Sequence, residues 1–122
     1  MIVLDTNVVI LFNKKERTVV EWIRRQRLKG EQFCISTITL GELLGFPNIS
    51  QKEILVIEQW LRFVLVVDVD LSTAREAARI RRELKLTVSD SVIAATAVLL
   101  KVPVTTRDIA FKKIRDIEVI VP

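Results

Sequence analysis

Short apolar runs alternate along this chain with longer segments in which apolar residues recur at helical spacing. Five runs predict short strands: Ile2–Leu4, 33–35, Leu65–Val67, 102–105 and 118–121. The segments between them predict helices over 16–29, Thr37–Leu44, a stretch that begins at Ser50, 71–85, 89–100 and a short helix near 109–114. Because strands and helices alternate, the pattern predicts an α/β fold with a mainly parallel sheet covered by helices.

Local sequence signals support several of these boundaries. Ser50 and Glu53 have the spacing of a capping box, which predicts a helix start at this point. Gly30 is placed to end the helix over 16–29. The segment 89–100 is apolar nearly all round, which is typical of a helix packed on both sides.

Length and composition indicate one folded domain spanning residues 1–122. Half of the residues are apolar, and three glycines and three prolines leave little room for linkers. No stretch is typical of a signal peptide, and the longest apolar runs are too short to cross a bilayer. The lone cysteine, Cys34, excludes an internal disulfide and is expected to be core, and Trp22 and Trp60 lie on apolar stripes typical of core or dimer contacts. We therefore expect a cytoplasmic protein that does not contact membranes.

Four acidic residues lie beside predicted strand ends or helix starts. Taken alone, Asp5, Asp90 and Asp108 suit turns or helix N-caps, and Glu42 suits an exposed helix face. A parallel sheet can bring all four to the edge where ligands bind in such folds. Four carboxylates that lie so near one another cannot all stay ionised without a cation. Oxygen ligands suit Mg²⁺ or Mn²⁺, and the absence of histidine argues against zinc.

Four motifs, spread over essentially the whole chain, carry a family resemblance: VLDTNV, ISTITLGELLG, LTVSDSVIAATA and VTTRDIAF. In combination they resemble PIN-domain ribonucleases, and most of all the VapC toxins of bacterial and archaeal toxin–antitoxin pairs. The resemblance implies a three-layer α/β/α domain with a central parallel sheet. It also carries the acidic catalytic residues of the family onto Asp5, Glu42, Asp90 and Asp108.

The resemblance implies an endoribonuclease that depends on Mg²⁺ or Mn²⁺. In this hypothesis Asp5, Asp90 and Asp108 hold the metal, and Glu42 helps to bind an ion or orients the attacking water. Hydrogen-bonding support is expected from Thr6, Asn7 and Thr106. The expected partners are RNA, with transfer or ribosomal RNA as the suspected target, a small antitoxin protein, and a second copy of the chain in a homodimer.

The basic residues also admit two interpretations. The formal net charge is +4, and arginines cluster in the segments 24–29 and 75–85. These clusters are either solvated helix faces or surfaces that bind the RNA backbone. The candidate RNA-binding residues are Arg75, Arg79 and Arg82 in the second cluster, and Arg107 beside Asp108. An arginine near the site can instead meet acidic groups of an antitoxin. We further expect Thr6 or Asn7 to cap the helix after the first strand, which would leave the Asp5 carboxylate free for a cation.

Two alternatives remain open at this point. A receiver-like signalling domain fits the chain length and the alternation of strands and helices, with Asp68 as the phosphorylated residue. The isolated Asp5 and the absence of a lysine at a late strand end argue against it. A PIN-like fold used only for protein binding is the second alternative, and the complete set of four acids argues against that one.

Overall fold

The computed structural model describes residues 1–122 and contains five strands and six α-helices. The strands are β1 (Ile2–Leu4), β2 (Phe33–Ser36), β3 (Leu65–Val67), β4 (Val104–Thr105) and β5 (Val119–Ile120). The α-helices are α1 (Thr6–Asn13), α2 (Arg17–Leu28), α3 (Thr37–Leu44), α4 (Gln51–Trp60), α5 (Leu71–Leu84) and α6 (Val88–Leu100). Two 3₁₀ helices, Leu61–Phe63 and Ile109–Lys113, complete the list.

The five strands form one sheet in the order β3-β2-β1-β4-β5, and every pair of neighbours is parallel. Strand β1 lies at the centre, where Val3 is in register with Cys34 on one side and Val104 on the other. All three residues of β1 are buried, which is typical of a strand covered on both faces. The predicted α/β fold is confirmed, and the sheet is parallel throughout.

Two apolar cores lie on opposite faces of the sheet. Side chains of β1 alternate between them: Ile2 and Leu4 pack with helices α1 to α4, while Val3 packs with α5, α6 and Phe111. Cys34 is fully buried in the second of these cores, and burial raises the pKa of its thiol to about 11. The helices therefore form layers above and below the sheet, which confirms the predicted α/β/α arrangement.

Helix α6 is buried on more than one side, as its almost wholly apolar sequence predicts. Its residues 91–97 are all buried, because the helix packs against both the sheet and α5. Thr87 caps this helix by accepting a hydrogen bond from the Asp90 amide at 3.2 Å. The predicted capping box at the start of α4 is likewise formed by Ser50 and Glu53.

Some predicted boundaries need correction. The strand predicted over 102–105 begins only at Val104, because Lys101 ends α6 with a left-handed backbone (φ +57°) and Pro103 has no N–H to offer a ladder. The helix expected near 109–114 is a 3₁₀ helix. Helix α1 was given no predicted bounds, because its core sequence VVILF is apolar at every position and has no polar face.

The sheet order excludes the receiver-like alternative. Receiver-type doubly wound sheets have the order 2-1-3-4-5, whereas this sheet has the order 3-2-1-4-5. Asp68, the candidate phosphorylation site of that alternative, is exposed and follows the edge strand β3. No helix has the length and apolar character needed to span a membrane.

The packing of the tryptophans agrees with the prediction of core positions. Trp22 lies against Phe33, with ring centroids 5.9 Å apart, and Trp60 lies against Phe12 at 6.5 Å. Both indole side chains are buried within the core formed by α1 to α4. Neither ring is therefore available as a platform for base stacking in this structure.

Candidate active site

The four candidate acids all lie where the chain passes from a strand or loop into a helix layer. Asp5 follows β1, Asp108 follows β4, and Glu42 lies in the helix that follows β2. Asp90 lies in the first turn of α6. Because β1, β2 and β4 are parallel neighbours, the residues that follow them share one edge of the sheet.

Asp5 is buried, and both of its carboxylate oxygens are engaged. Oδ1 accepts a hydrogen bond from the Thr6 amide at 2.8 Å, so Asp5 itself is the N-cap of α1. Oδ2 accepts from Nδ2 of Asn7 at 2.8 Å and from Oγ1 of Thr106 at 2.6 Å. The expectation that Thr6 or Asn7 caps this helix is therefore wrong. The cap is the acid, because it is the residue with extended backbone directly before the first helical turn.

Thr106 connects two of the acids. Its hydroxyl, fully buried, donates to Asp5 and also accepts a hydrogen bond from the Asp108 amide at 3.0 Å. Asp108 in turn accepts from the Ala110 amide at 2.9 Å and thereby caps the 3₁₀ helix Ile109–Lys113. The end of β4 is thus fixed against the end of β1 by a single hydroxyl group.

Glu42 reaches the same place from α3. Its Oε1 accepts a hydrogen bond from Oγ1 of Thr6 at 2.7 Å. Thr39, one helical turn before Glu42, is fully buried with its hydroxyl 3.1 Å from that of Thr6. Glu42 is therefore half-buried against α1, and does not have the exposed position that its local sequence suits when taken alone.

The acids affect the protonation of Asp5 and Asp90. The pKa of Asp5 is raised from 3.8 to about 6: burial is the largest cause, the negative charges of Asp90 and Glu42 also raise it, and the hydrogen bonds from Thr106 and the Thr6 amide lower it. The pKa of Asp90 is also raised, first by burial and then by Asp108 and Glu42. The cluster therefore holds more negative charge than its own hydrogen bonds offset.

The donor set fits a hard divalent cation. All the candidate ligands are carboxylate oxygens, and the chain has no histidine. No three acidic or cysteine side chains lie close enough together to enclose an ion by themselves. Mg²⁺ typically keeps several waters and binds through one or two carboxylates, so an open cluster of this kind matches its coordination habits.

The predicted RNA-contacting arginines fall into two groups. Arg79 donates to Glu76 and to Glu83, the latter at 2.8 Å, and lies 3.5 Å from Asp116. Arg107 contacts Glu16 at 3.0 Å. The other two arginines, Arg75 and Arg82, are exposed and have no ion-pair partner. Two of the four arginines are therefore already paired with acids, and contact of the four with RNA stays a prediction.

Three hydroxyl residues of this region were not identified from the sequence. Thr39 lies three residues before Glu42, and that i, i+3 spacing is the signal that places both on one helix face. Ser91 and Thr105, neighbours of Asp90 and Thr106, have buried hydroxyl oxygens without a hydrogen-bond partner. Nothing in their local sequence distinguishes such groups from satisfied core hydroxyls.

Comparison with known proteins identifies the fold family. The family model described as PIN domain matches residues 2–117. No curated protein sequence matches the chain significantly. A DNA-bound VapBC complex from Salmonella typhimurium contains a chain with a TM-score of 0.82 and 27% identity, matched over 98% of this chain and 96% of that chain.

Two further solved structures have similar chains. VapBC-1 from nontypeable Haemophilus influenzae matches with a TM-score of 0.81 and 25% identity, over 99% of this chain and 98% of that chain. VapBC2 from Rickettsia felis, bound to a DNA fragment from the promoter, matches with a TM-score of 0.84 at 21% identity, over 99% and 98%. At that last identity the likeness shows the fold alone.

Proposed function

Because the chain belongs to the PIN-domain family, we propose that it is a metal-dependent endoribonuclease and the toxin of a VapBC-type toxin–antitoxin pair. PIN domains are generally nucleases that use divalent metal ions, and the similar solved structures are toxin–antitoxin complexes. The finer parts of the proposal are RNA as substrate and Mg²⁺ or Mn²⁺ as cofactor. The proposed site of action is the cytoplasm, where such substrates are found.

The observation that carries the proposal is the placement of four carboxylates at one edge of the sheet, where Thr106 joins Asp5 to Asp108 and Thr6 joins α1 to Glu42. The raised pKa values of Asp5 and Asp90 reflect burial together with negative charge from their acidic neighbours. A divalent cation offsets that charge, lowers the pKa of a bound water and polarises a phosphoryl oxygen. Both effects accelerate hydrolysis of a phosphodiester, and the chain has no histidine to serve as a base.

The roles of the individual residues follow from their contacts. We assign Asp5, Asp90 and Asp108 to metal binding, directly or through water, and Glu42 to a second binding position or to orientation of the attacking water. Thr106 and Asn7 hold the Asp5 carboxylate in place through the two hydrogen bonds to its Oδ2. Thr6 holds the Glu42 carboxylate in place through a hydrogen bond to its Oε1.

An antitoxin partner is supported by an apolar groove on the surface of the domain. The groove has a volume of about 490 Å³ and lies between α1, the end of α3 and α4. Phe46 and Val56 line it while remaining 51% and 47% exposed. Exposed apolar surface of this kind is typical of protein-binding sites. A small antitoxin would cover it, and Val56→Glu is expected to weaken co-purification with the protein encoded by the neighbouring gene, whereas Leu28→Glu on exposed α2 is not.

The nuclease proposal is tested by cleavage of mixed RNAs with Mg²⁺ or Mn²⁺. Chelation by EDTA is expected to abolish cleavage, and Asp90→Asn and Asp108→Asn are expected to reduce the rate by about 10²–10³-fold. The matched control is Asp68→Asn, which removes an exposed acid that also follows a strand but lies outside the cluster.

Metal-independent cleavage, or unchanged rates in both cluster variants, would contradict the proposal. If folded protein cleaves no RNA but still binds the antitoxin, the alternative of a PIN fold used only for protein binding replaces it. The homodimer and the choice between transfer and ribosomal RNA stay predictions, to be measured by light scattering and by mapping of cleavage products.

A further inference from the structure

A cleft separate from the four acids lies between the C-terminal half of α5 and the segment around the 3₁₀ helix Ile109–Lys113. Its volume is about 700 Å³, and five of its lining residues are cationic: Arg79 and a group of four, Lys85, Lys112, Lys113 and Arg115. All four side chains are exposed. We propose that this cleft, here called the basic cleft, binds the phosphate backbone of the RNA on which the acidic cluster acts.

The acids that line the basic cleft are already engaged by one arginine. Nη1 of Arg79 lies 2.8 Å from the Glu83 carboxylate, and Nη2 of Arg79 lies 3.5 Å from the Asp116 carboxylate. Glu76 contacts the same guanidinium from the adjacent turn of α5. None of the other four cationic residues of the cleft has an ion-pair partner of its own. The cleft therefore presents unpaired positive charge to solvent.

Arg79 has a different role in this arrangement from the one expected from the sequence. Its guanidinium joins α5 to Asp116, a residue 37 positions further along the chain, and so holds the two walls of the cleft together. Contacts to Glu76 raise the pKa of Arg79 above its ordinary value, and Glu83 and Asp116 act in the same direction. Arg79 is thus a positioning residue, and the lysines are the groups free to meet phosphate.

Both walls of the cleft lead directly to the acidic cluster. Lys112 and Lys113 follow Asp108 by four and five residues along the 3₁₀ helix that Asp108 caps. At about 2 Å of rise per residue, this separation is about 8–10 Å along the helix. On the other wall, Lys85 precedes Asp90 by five residues. A nucleic-acid strand lying in the cleft would therefore pass close to the acids.

The chemistry of the cleft favours a polyanionic backbone over a single anion or a base-specific contact. Lysine presents a flexible point charge, and the positive charges are spread over two walls, which suits successive phosphates along a strand. The only apolar side chains that line the cleft are aliphatic, so base stacking does not contribute. The inference rests on the proposed nuclease function, which supplies the RNA.

The test measures RNA binding apart from cleavage. Fluorescence anisotropy with a short labelled single-stranded RNA in EDTA gives the affinity and its salt dependence for wild type and for Lys112→Gln/Lys113→Gln. Loss of two phosphate contacts is expected to weaken binding by about 25-fold at 0.1 M salt and to reduce the salt slope by about 1.4. The control, Arg24→Gln/Arg25→Gln, removes the same charge from the exposed face of α2 and is expected to leave both quantities near wild type.

The possible outcomes distinguish the cleft from the nuclease proposal. Equal losses in the two double variants mean that net charge alone matters, and the cleft assignment fails. Unchanged RNA affinity in Lys112→Gln/Lys113→Gln, with weakened binding of polyglutamate, assigns the cleft to an acidic protein and overturns the inference. If the expected losses occur but wild type cleaves no RNA in the presence of metal, the cleft stands and the nuclease proposal fails.

Discussion

Thr106 donates a hydrogen bond to Asp5 at 2.6 Å although the two residues are 101 positions apart in the sequence. The contact joins the ends of β1 and β4, which are neighbours in the sheet. The same hydroxyl accepts the amide of Asp108, so one buried oxygen fixes the relative positions of two acids that we assign to the metal site. Substitutions of Thr106 can therefore separate the contribution of this contact to folding stability from its contribution to metal binding and cleavage.

Replacing Thr106 with valine is expected to lower metal affinity and RNA cleavage by about 10–100-fold, because the Asp5 carboxylate loses the donor that orients it. Thr106→Ser keeps the hydroxyl and is expected to retain most of the activity. Isothermal titration with Mn²⁺ and cleavage rates for the three proteins check this prediction. Equal activity of Thr106→Val and Thr106→Ser would show that the hydrogen bond is dispensable.

Replacing the neighbouring Thr105 with valine is expected to change the free energy of unfolding in the opposite direction from Thr106→Val. Its hydroxyl is buried and has no hydrogen-bond partner, so Thr105→Val removes an unsatisfied polar group and should raise the free energy of unfolding by about 1–3 kcal/mol. Thr106→Val removes the hydroxyl that makes three hydrogen bonds, with Asp5, Asn7 and the Asp108 amide, and should lower the free energy of unfolding by a similar amount. Urea denaturation of the two variants measures both changes, and stabilisation by Thr106→Val would contradict the network described above.

The raised pKa of Asp5 predicts a pH dependence of stability in metal-free protein. Because the pKa is raised from 3.8 to about 6, folded protein holds the proton more tightly than unfolded protein does. The free energy of unfolding should therefore fall by about 2.4 kcal/mol as the pH rises from about 4 to about 7. In Asp5→Asn the loss should shrink to the part that the raised pKa of Asp90 contributes, whereas Asp68→Asn should keep the full loss. Denaturation curves in EDTA at several pH values test the prediction, and a loss of equal size in Asp5→Asn would assign it to another group.

A divalent cation is expected to stabilise the folded protein at neutral pH. At a free Mg²⁺ or Mn²⁺ concentration ten times the dissociation constant, the gain is about 1.4 kcal/mol. Asp90→Asn removes a proposed ligand and should lose most of this gain, while Asp68→Asn should retain it. Thermal unfolding with and without the ion provides the measurement, independently of any RNA substrate. A gain that survives in Asp90→Asn would place the ion elsewhere.

The elements predicted well from the sequence are those with a clear local cause. Helix α6 was recognisable because it is apolar nearly all round, and α4 because Ser50 and Glu53 form a capping box. Strand β1 was recognisable because its three apolar residues end at a polar cluster. Helix α1 was not, because burial on several sides by its neighbours, and not an amphipathic stripe, makes it helical.

The contacts that sequence reasoning missed are those between distant parts of the chain. The spacing of Arg79 from Glu76 and Glu83 is the i, i+3 and i, i+4 spacing of helix ion pairs, and local reasoning can find it. The contact of Arg79 with Asp116 and that of Arg107 with Glu16, 91 residues apart, depend on the tertiary fold. No local pattern indicated these two long-range contacts.

The central position of β1 has a consequence for synthesis of the protein. The first strand of the chain pairs with β4, and the residues that complete the acidic cluster, Thr106 and Asp108, follow β4 near the other end. A nascent chain that still lacks residues 104–108 has Asp5 but cannot assemble the cluster. The order in which the ribosome releases these segments therefore delays the appearance of the site until residues 104–108 have been translated.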